Sequence, residues 1–383
     1  MKILVLGAGR MGLGAAYDLA HNSPDVSSVT VADIDGERAR AVCETVKSPK
    51  LTPARIDVED ASRVVALMRG HDAALSCVTY FHNLRLARAA VEARTNFCDL
   101  GGNNSVVDSE LALDAEARAA GVNVIPDCGL APGMVAVLAA HGAERFEEIE
   151  AIRIRVGGLP QNPKPPLDYQ LVFSVEGLIN EYVERARVVR GGRIVEVESM
   201  TEIEGLEFPA PFGRLEAFQT SGGTSTLPET FAGRVRELDY KTIRYPGHCA
   251  RFKLLVDLGL ASSDEIDLGD TRVAPRRLLG EMLVRHLPAD EPDAVLVRLE
   301  FRGRTDGEAR ALRYDIVDLF DERTGLSAMQ RTTAFPASIV AQTMARGETT
   351  SKGALPQERC IPPAPFVAAL AARGINIEES FID

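Results

Sequence analysis

No two of the six cysteines, at positions 43, 77, 98, 128, 249 and 360, stand in C-x-x-C spacing. Neither a zinc site nor a disulfide framework is indicated, so no metal is expected, and buried thiols in a reducing cytoplasm are. No apolar stretch reaches the roughly 20 residues of a membrane span. The first strand begins at residue 2 and leaves no room for a signal peptide, which again points to the cytoplasm. Positive charge is scarce: 43 Lys and Arg stand against 55 Asp and Glu, a formal charge of −12. That balance disfavours nucleic acid and anionic membrane as partners. It says little about small substrates, because the local field in a cleft outweighs net charge. No internal repeat or low-complexity segment is visible. The remainder is ordinary for a globular protein, with 45% hydrophobic and 26% charged residues over 383 positions. A chain of this length has material for two domains and a sizeable core.

The richest signal lies in the first dozen residues. Residues 2–6, Lys-Ile-Leu-Val-Leu, read as a buried strand. Gly7-Ala-Gly9-Arg10-Met11-Gly12 follows, and an apolar run at helical spacing continues to residue 20. Strand, tight turn and helix in this order form a dinucleotide fingerprint. Gly7 permits the turn, Gly9 lets a pyrophosphate approach the backbone, and Gly12 lets helix and strand pack closely. The helix N-terminus offers N–H groups and its positive dipole end to the phosphates. A second apolar run, 28–32, ends in Asp33, where the ribose-binding acid of an NAD site is expected.

Strand and helix alternate through about residue 128, which argues for a parallel, doubly wound sheet. Helices are expected over 36–46, 59–68, 83–94 and 109–120. Strands are expected over 54–58, 73–78, 95–100 and 122–125. Beyond residue 129 come strand-like stretches without regular crossovers, at 149–156, 169–175, 188–197, 295–301 and 311–320. The expected architecture is an α/β Rossmann domain over 1–130 with an inserted α+β domain over 131–330, built on an antiparallel sheet. A helix over 334–345 opens the C-terminal segment 331–383, which is expected to return to the first domain.

Ligands of open parallel sheets bind beyond the carboxyl ends of the strands. The third strand ends near Asp57. The fourth ends at Cys77-Val78-Thr79-Tyr80, the fifth at Asp99-Leu-Gly101-Gly102-Asn103, and the sixth at Asp127-Cys128-Gly129. Asp127 and Asn103 can equally cap turns or helices. Three polar segments stand out later: 167–182, 220–228 and 241–248. The last joins Arg244, Tyr245 and His248 in one turn, types suited to gripping a carboxylate and moving protons. A lone histidine is nevertheless more often structural.

These segments together resemble the saccharopine dehydrogenase superfamily, and within it the lysine 6-dehydrogenases most closely. The resemblance runs through the fingerprint, Tyr80, Phe97-Cys-Asp-Leu-Gly-Gly-Asn103, Gly129-Leu-Ala-Pro-Gly133 and Gly158-Leu-Pro160. It continues through Phe173-Ser-Val-Glu-Gly177, Thr220-Ser-Gly-Gly-Thr-Ser225, Arg244-Tyr-Pro-Gly-His248 and Arg373-Gly-Ile-Asn-Ile377. It implies NAD-dependent oxidative deamination of the ε-amine of L-lysine, giving 2-aminoadipate 6-semialdehyde and ammonia, by a homodimer or higher homo-oligomer. Saccharopine-forming members carry an arginine just before the glycine of 173–177, where it meets a substrate carboxylate; here that residue is Glu176. Thr79 stands where many relatives have proline. The expected cofactor residues are Gly7, Gly9, Arg10, Met11, Gly12, Asp33, Asp57, Cys77 and Val78. Asn103, Glu176, Thr224 and Arg244 are the expected substrate residues, with Arg244 on the α-carboxylate and Glu176 on the α-ammonium. His248 is the expected proton acceptor, with Asp127 and Tyr80 in reserve. Two other readings stay open: a reductase forming a secondary amine such as saccharopine or carboxynorspermidine, and a nucleotide-binding sensor without turnover.

Overall fold

The computed structural model describes residues 1–382, which divide into two compact units. The first comprises Met1–Arg145, Ser225–Thr230 and Gln330–Asn376. Its parallel sheet contains β1 (Lys2–Leu6), β2 (Ser28–Asp33), β3 (Leu51–Arg55), β4 (Ala73–Ser76), β5 (Asn96–Asp99) and β6 (Asn123–Ile125). A seventh short strand, Gly353–Ala354, lies beside β6. From that edge the order is the short strand, β6, β5, β4, β1, β2, β3. This is the doubly wound order, with its switch point between β1 and β4. Ile3 to Leu6 are fully buried because β1 is central and covered on both faces. On one face, helices Ala61–Met68, Asn83–Ala93 and Asp114–Ala120 bury Val65, Leu86 and Ala117 into a shared core with Leu4 and Phe97.

The C-terminal segment is clamped onto this unit by a buried ion pair. Arg373 Nε donates to Asp18 Oδ1 at 2.7 Å, with the aspartate fully buried. Asn22 Nδ2 and Ser338 Oγ donate to the same carboxylate, so its charge is fully compensated.

The second unit comprises Phe146–Thr224, Phe231–Met329 and Ile377–Asp383. Its sheet runs Glu204–Phe208, Gly213–Gln219, Glu237–Arg244, Glu148–Pro160, Asp293–Thr305, Glu308–Leu319 and Glu378–Ile382. A hairpin of Ala186–Arg190 and Arg193–Val197 branches from Glu237–Arg244. The sheet is mixed rather than antiparallel, because Glu237–Arg244 runs parallel to Glu148–Pro160.

Several expected boundaries differ. Helix Met134–Ala143 stays with the first unit, which moves the division from 130 to 145. Residues 377–382 leave the returning segment and pair with Glu308–Leu319, Phe381 opposite Leu312. The helix expected over 109–120 is two, Asn104–Leu111 and Asp114–Ala120, and the first starts early because Asn103 caps it. The stretch 169–175 is not a strand. Ser174 Oγ accepts the Gly177 N–H at 3.1 Å and opens helix Val175–Val183.

A pair of buried carboxyls holds two strand ends of the first unit. Asp99, at the end of β5, accepts the N–H of Gly101 at 2.6 Å and that of Asp127 at 3.3 Å through one oxygen. Behind it sits Glu110, fully buried on helix Asn104–Leu111. Burial and the neighbouring Asp99 carboxylate push Glu110 far above the usual carboxylate range, so it keeps its proton in the folded protein. In the unfolded chain the same group ionises near its ordinary value of about 4.3. Its contribution to stability is therefore complete at acidic pH and declines as pH rises toward the folded value. The expected slope is up to about 1.4 kcal/mol per pH unit. Urea midpoints measured from pH 6 to 9 should fall in the parent protein and fall less steeply in Glu110→Gln, which keeps the shape without the ionisation.

Candidate functional site

The fingerprint turn of the first unit is built on close backbone approach. A Cβ on Gly12 would lie 1.9 Å from the Gly7 carbonyl oxygen, so only glycine lets the helix start where it does. Gly9 caps helix Arg10–His21 without a side chain, which leaves the helix entrance open to a phosphate. Arg10 and Met11 form its first turn. Gly7 donates to Ala32 O at 2.7 Å and lies against the backbone of Cys77 and the side chain of Val78. Thus β1, β2 and β4 end together at this turn.

Asp33 accepts the Ala8 N–H at 2.7 Å through Oδ2 and the Asp35 N–H at 2.9 Å through Oδ1. Each oxygen retains a second lone pair, which suits ribose hydroxyls. Arg38 pairs with Asp35 at 3.6 Å, and Arg55 Nε donates to Ile34 O at 3.1 Å. Asp57 is exposed in the loop after β3, where its Oδ1 accepts the Glu59 N–H at 2.9 Å. The residues around the fingerprint fit a dinucleotide. Among the described residues no group of three or more His, Cys, Asp or Glu is placed to hold a metal ion.

The next strand ends also converge. Tyr80 lies against Gly102. Asp127 sits over Gly101, where an added Cβ would lie 1.7 Å from its Oδ1. Asp127 is 4% exposed and adopts φ +61°, held by Ser225 Oγ on Oδ2 and Gln357 Nε2 on its carbonyl. Asn103 Oδ1 accepts the N–H groups of Ser105 at 3.0 Å and Val106 at 3.3 Å. Its carbonyl is therefore used as a helix cap.

The second unit gathers a different set. Period-2 alternation along Glu237–Arg244 puts Tyr240, Thr242 and Arg244 on one face of the strand. Glu216 and Phe218 lie opposite Arg244 and Thr242 in register. Arg244 is 2% exposed. Its Nε donates to Tyr182 OH at 2.9 Å and its Nη1 to Ile243 O at 2.9 Å. The guanidinium carbon lies 4.7 Å from the centre of the Tyr169 ring and 5.8 Å from that of Tyr182. No described residue bonds its Nη2.

His248 completes this chain. Its Nδ1 lies 2.9 Å from Leu167 O, which makes Nδ1 the protonated nitrogen. The bare Nε2 accepts from Tyr182 OH at 3.0 Å. The Glu216 carboxylate accepts the N–H groups of Gly247 at 2.8 Å and Cys249 at 2.7 Å, fixing the start of helix His248–Asp257. Burial and the adjacent Arg244 charge push His248 down to about 3. The expected proton acceptor is thus a sealed, neutral histidine with both nitrogens engaged, and the structural alternative describes it.

Two further expectations fall elsewhere. Glu176 is exposed and paired with Arg276 at 2.8 Å, away from the Arg244 cluster. Thr224 Oγ1 donates to Arg187 O at 2.9 Å, a structural bond. The sequence reading missed Glu181, which lies in the electrostatic field of Arg244 and of Tyr169, Tyr182 and Tyr240. Desolvation raises it to about 7 even though Arg244 pulls the other way. Helical geometry separates Glu176 and Glu181 by about 140° around the axis, so the two point to different sides of the helix. No signal in the residues themselves marks Glu181 over Glu176, since the buried face of this helix is Leu178, Ile179 and Tyr182.

A family model described as the saccharopine dehydrogenase NADP binding domain matches residues 3–125, and one for the saccharopine dehydrogenase C-terminal domain matches residues 129–375. Carboxynorspermidine synthase of Vibrio cholerae serotype O1 is 23% identical over 407 residues, covering 98% of this chain and 96% of the relative. The NADP(+), L-glutamate-forming saccharopine dehydrogenase of Pyricularia oryzae is 24% identical over 277 residues, 68% of this chain and 60% of the relative. Apo saccharopine dehydrogenase (L-Glu forming) from Saccharomyces cerevisiae shares the fold, with a TM-score of 0.80 at 20% identity over 100% of both chains. Matched along nearly its whole length by both domain models, the chain belongs to the saccharopine dehydrogenase family.

Proposed function

We propose that this protein is an NAD-dependent dehydrogenase that oxidatively deaminates the ε-amine of L-lysine to 2-aminoadipate 6-semialdehyde and ammonia. The observation that supports this reading is the charge inventory around Arg244. That cluster holds one guanidinium with donors to spare, and the Glu181 carboxylate lies within its electrostatic reach. Arg276 is engaged by Glu176 and Asn180. One zwitterion suits such a cluster better than a substrate with an added dicarboxylate. The whole-chain likeness to a carboxynorspermidine synthase favours the second reading, a reductase joining two substrates through a secondary amine. A homo-oligomer in the cytoplasm belongs to the first reading.

In this assignment Gly7, Gly9, Arg10, Met11 and Gly12 cradle the pyrophosphate, and Asp33 holds the ribose. Asp57, Cys77 and Val78 border the same cofactor. When bound, NAD supplies the hydride acceptor. The ε-nitrogen must lose its proton first, since the free side chain has a pKa of about 10.4. Asp127 and Tyr80 are the proton-handling candidates that remain, with Asn103 beside them; His248 positions Tyr182 and Arg244.

Incubation with NAD and a panel of amino acids, with NADH and ammonia measured together, tests the reaction. Equimolar NADH and ammonia from lysine alone are expected. NADPH-driven joining of an aldehyde and an amine without ammonia would select the second reading.

Asp33 should make kcat/KM higher with NAD than with NADP, because its carboxylate repels a 2′-phosphate. Asp33→Ser should shrink that preference by tenfold or more, and an NADP preference in the parent would overturn the assignment.

The oxidative rate should rise toward alkaline pH as free amine accumulates. His248→Gln should keep the same inflections, because His248 stays neutral throughout the working range. Loss of an inflection near 6.5 in this variant would return the base role to His248.

A further inference from the structure

We infer that Ser225 is a positioning residue for Asp127: its hydroxyl fixes one carboxylate oxygen and holds the group ionised, as the acceptor of a proton from the substrate nitrogen. In that step an N–H bond breaks, an O–H bond forms on Asp127, and the electron pair stays on nitrogen. This deepens the proposed function and rests on Asp127 handling the proton, though not on the substrate being lysine.

Both residues belong to the first unit. Ser225 opens the segment Ser225–Thr230, which packs with that unit although the chain on either side belongs to the second. Both residues are buried, and Ser225 Oγ donates to Asp127 Oδ2. Asp127 Oδ1 lies over Gly101, and Tyr80 lies against the next residue, Gly102. The carboxylate is thus placed at the turn that ends β5, where a parallel sheet receives its ligand.

The backbone is bent at both ends of this bond. Asp127 has φ +61° and Ser225 has φ +43°, a region that residues with side chains rarely enter. Such strain persists only where the surroundings over-determine it, and it collects at functional sites. Here the anchors can be named. Gln357 Nε2 donates to the Asp127 carbonyl. Glu358 Oε1 accepts from Thr226 Oγ1 at 2.9 Å and from Thr230 Oγ1 at 2.6 Å. Arg359 Nε donates to Thr230 Oγ1 at 3.1 Å. One short helix, Gln357–Cys360, therefore ties down both partners of the Ser225–Asp127 bond.

The neighbouring charges give the bond its purpose. Asp99 accepts the Asp127 N–H at 3.3 Å, Glu110 feels the Asp127 charge, and Cys128 is next in the chain. Glu358 adjoins Gln357, and Tyr80 faces the Gly101–Gly102 turn. These titratable neighbours are all acids, and a carboxyl among acids holds its proton more tightly. Donation from Ser225 acts the other way, because a hydrogen bond to the charged form favours that form.

Carboxyl carbon-13 NMR of the purified full chain, labelled at aspartate, reads the Asp127 midpoint without any substrate. Asp127→Asn identifies its signal. S225A and S225G should each raise that midpoint by about one pH unit, the size of a hydrogen bond to an ionised group. Glycine also relieves the positive φ, so an equal shift in both variants assigns the effect to the hydroxyl. The matching inflection in the pH profile of kcat should rise by the same amount, with KM for NAD unchanged. An unmoved midpoint in S225A would overturn the inference. So would a midpoint that moves while the kcat inflection stays, or a shift in S225A that is absent in S225G. Lysine oxidation with an unmoved midpoint would leave the proposed reaction standing and remove this role for Ser225. A parent protein that does not oxidise lysine would remove the reaction; the midpoint is then read as before, and the profile is taken in the NADPH-driven joining of an aldehyde and an amine.

Discussion

Burying the guanidinium of Arg244 is the constraint on which the second unit depends. Removing such a charge from water costs several kcal/mol after relaxation. The fold offsets this without placing a carboxylate in direct contact. Tyr182 accepts from Nε, the Ile243 carbonyl accepts from Nη1, and the Tyr169 and Tyr182 rings lie across the cation. Each of these partners is fixed in turn. Tyr182 OH donates to a histidine locked against Leu167 O, and Glu216 holds that histidine's helix at its first amides. The chain of bonds settles the tautomer of His248, keeps it neutral, and leaves Nη2 as the remaining outlet of the cluster.

The first unit uses a different device. Its strand ends meet through glycines and buried carboxyls rather than through a cation. Gly7 lets the β4 end close on the fingerprint, and Gly101 lets Asp127 lie directly above it. Asp99 ties the Gly101 and Asp127 loops together through backbone N–H groups, and a protonated Glu110 backs it without adding a second charge. The result is rigid backbone at the carboxyl ends of β1, β4, β5 and β6, where a parallel sheet receives its ligand.

How far the site was legible depended on the kind of signal. The fingerprint and Asp33 are read from local order, because strand, turn and helix are adjacent in sequence. The alternation of Tyr240, Thr242 and Arg244 is also local. Glu176 misled because the clue was positional likeness to relatives, while its helix aims it at Arg276. Glu181, five residues on, is turned by about 140°. Nothing in the residues themselves tells which of two glutamates on one helix lies within electrostatic reach of the arginine. His248 misled for the same reason: a histidine beside an arginine and a tyrosine looks like a proton carrier until its two nitrogens are found engaged.

The sequence by itself determined the parallel first sheet, the dinucleotide turn, the family and the presence of a second α+β unit. Those follow from periodicities of two and 3.6 residues and from glycine spacing, which act over a few turns of chain. Tertiary structure decided the parallel strand pair within the second sheet, the departure of residues 377–382 from the first unit, and the placement of Ser225–Thr230 with it. It also decided which buried charges are neutral and which are unmet. Those outcomes depend on contacts between residues 62 to 230 positions apart, such as Arg244 with Tyr182 and Gln357 with Asp127, and no local pattern encodes them.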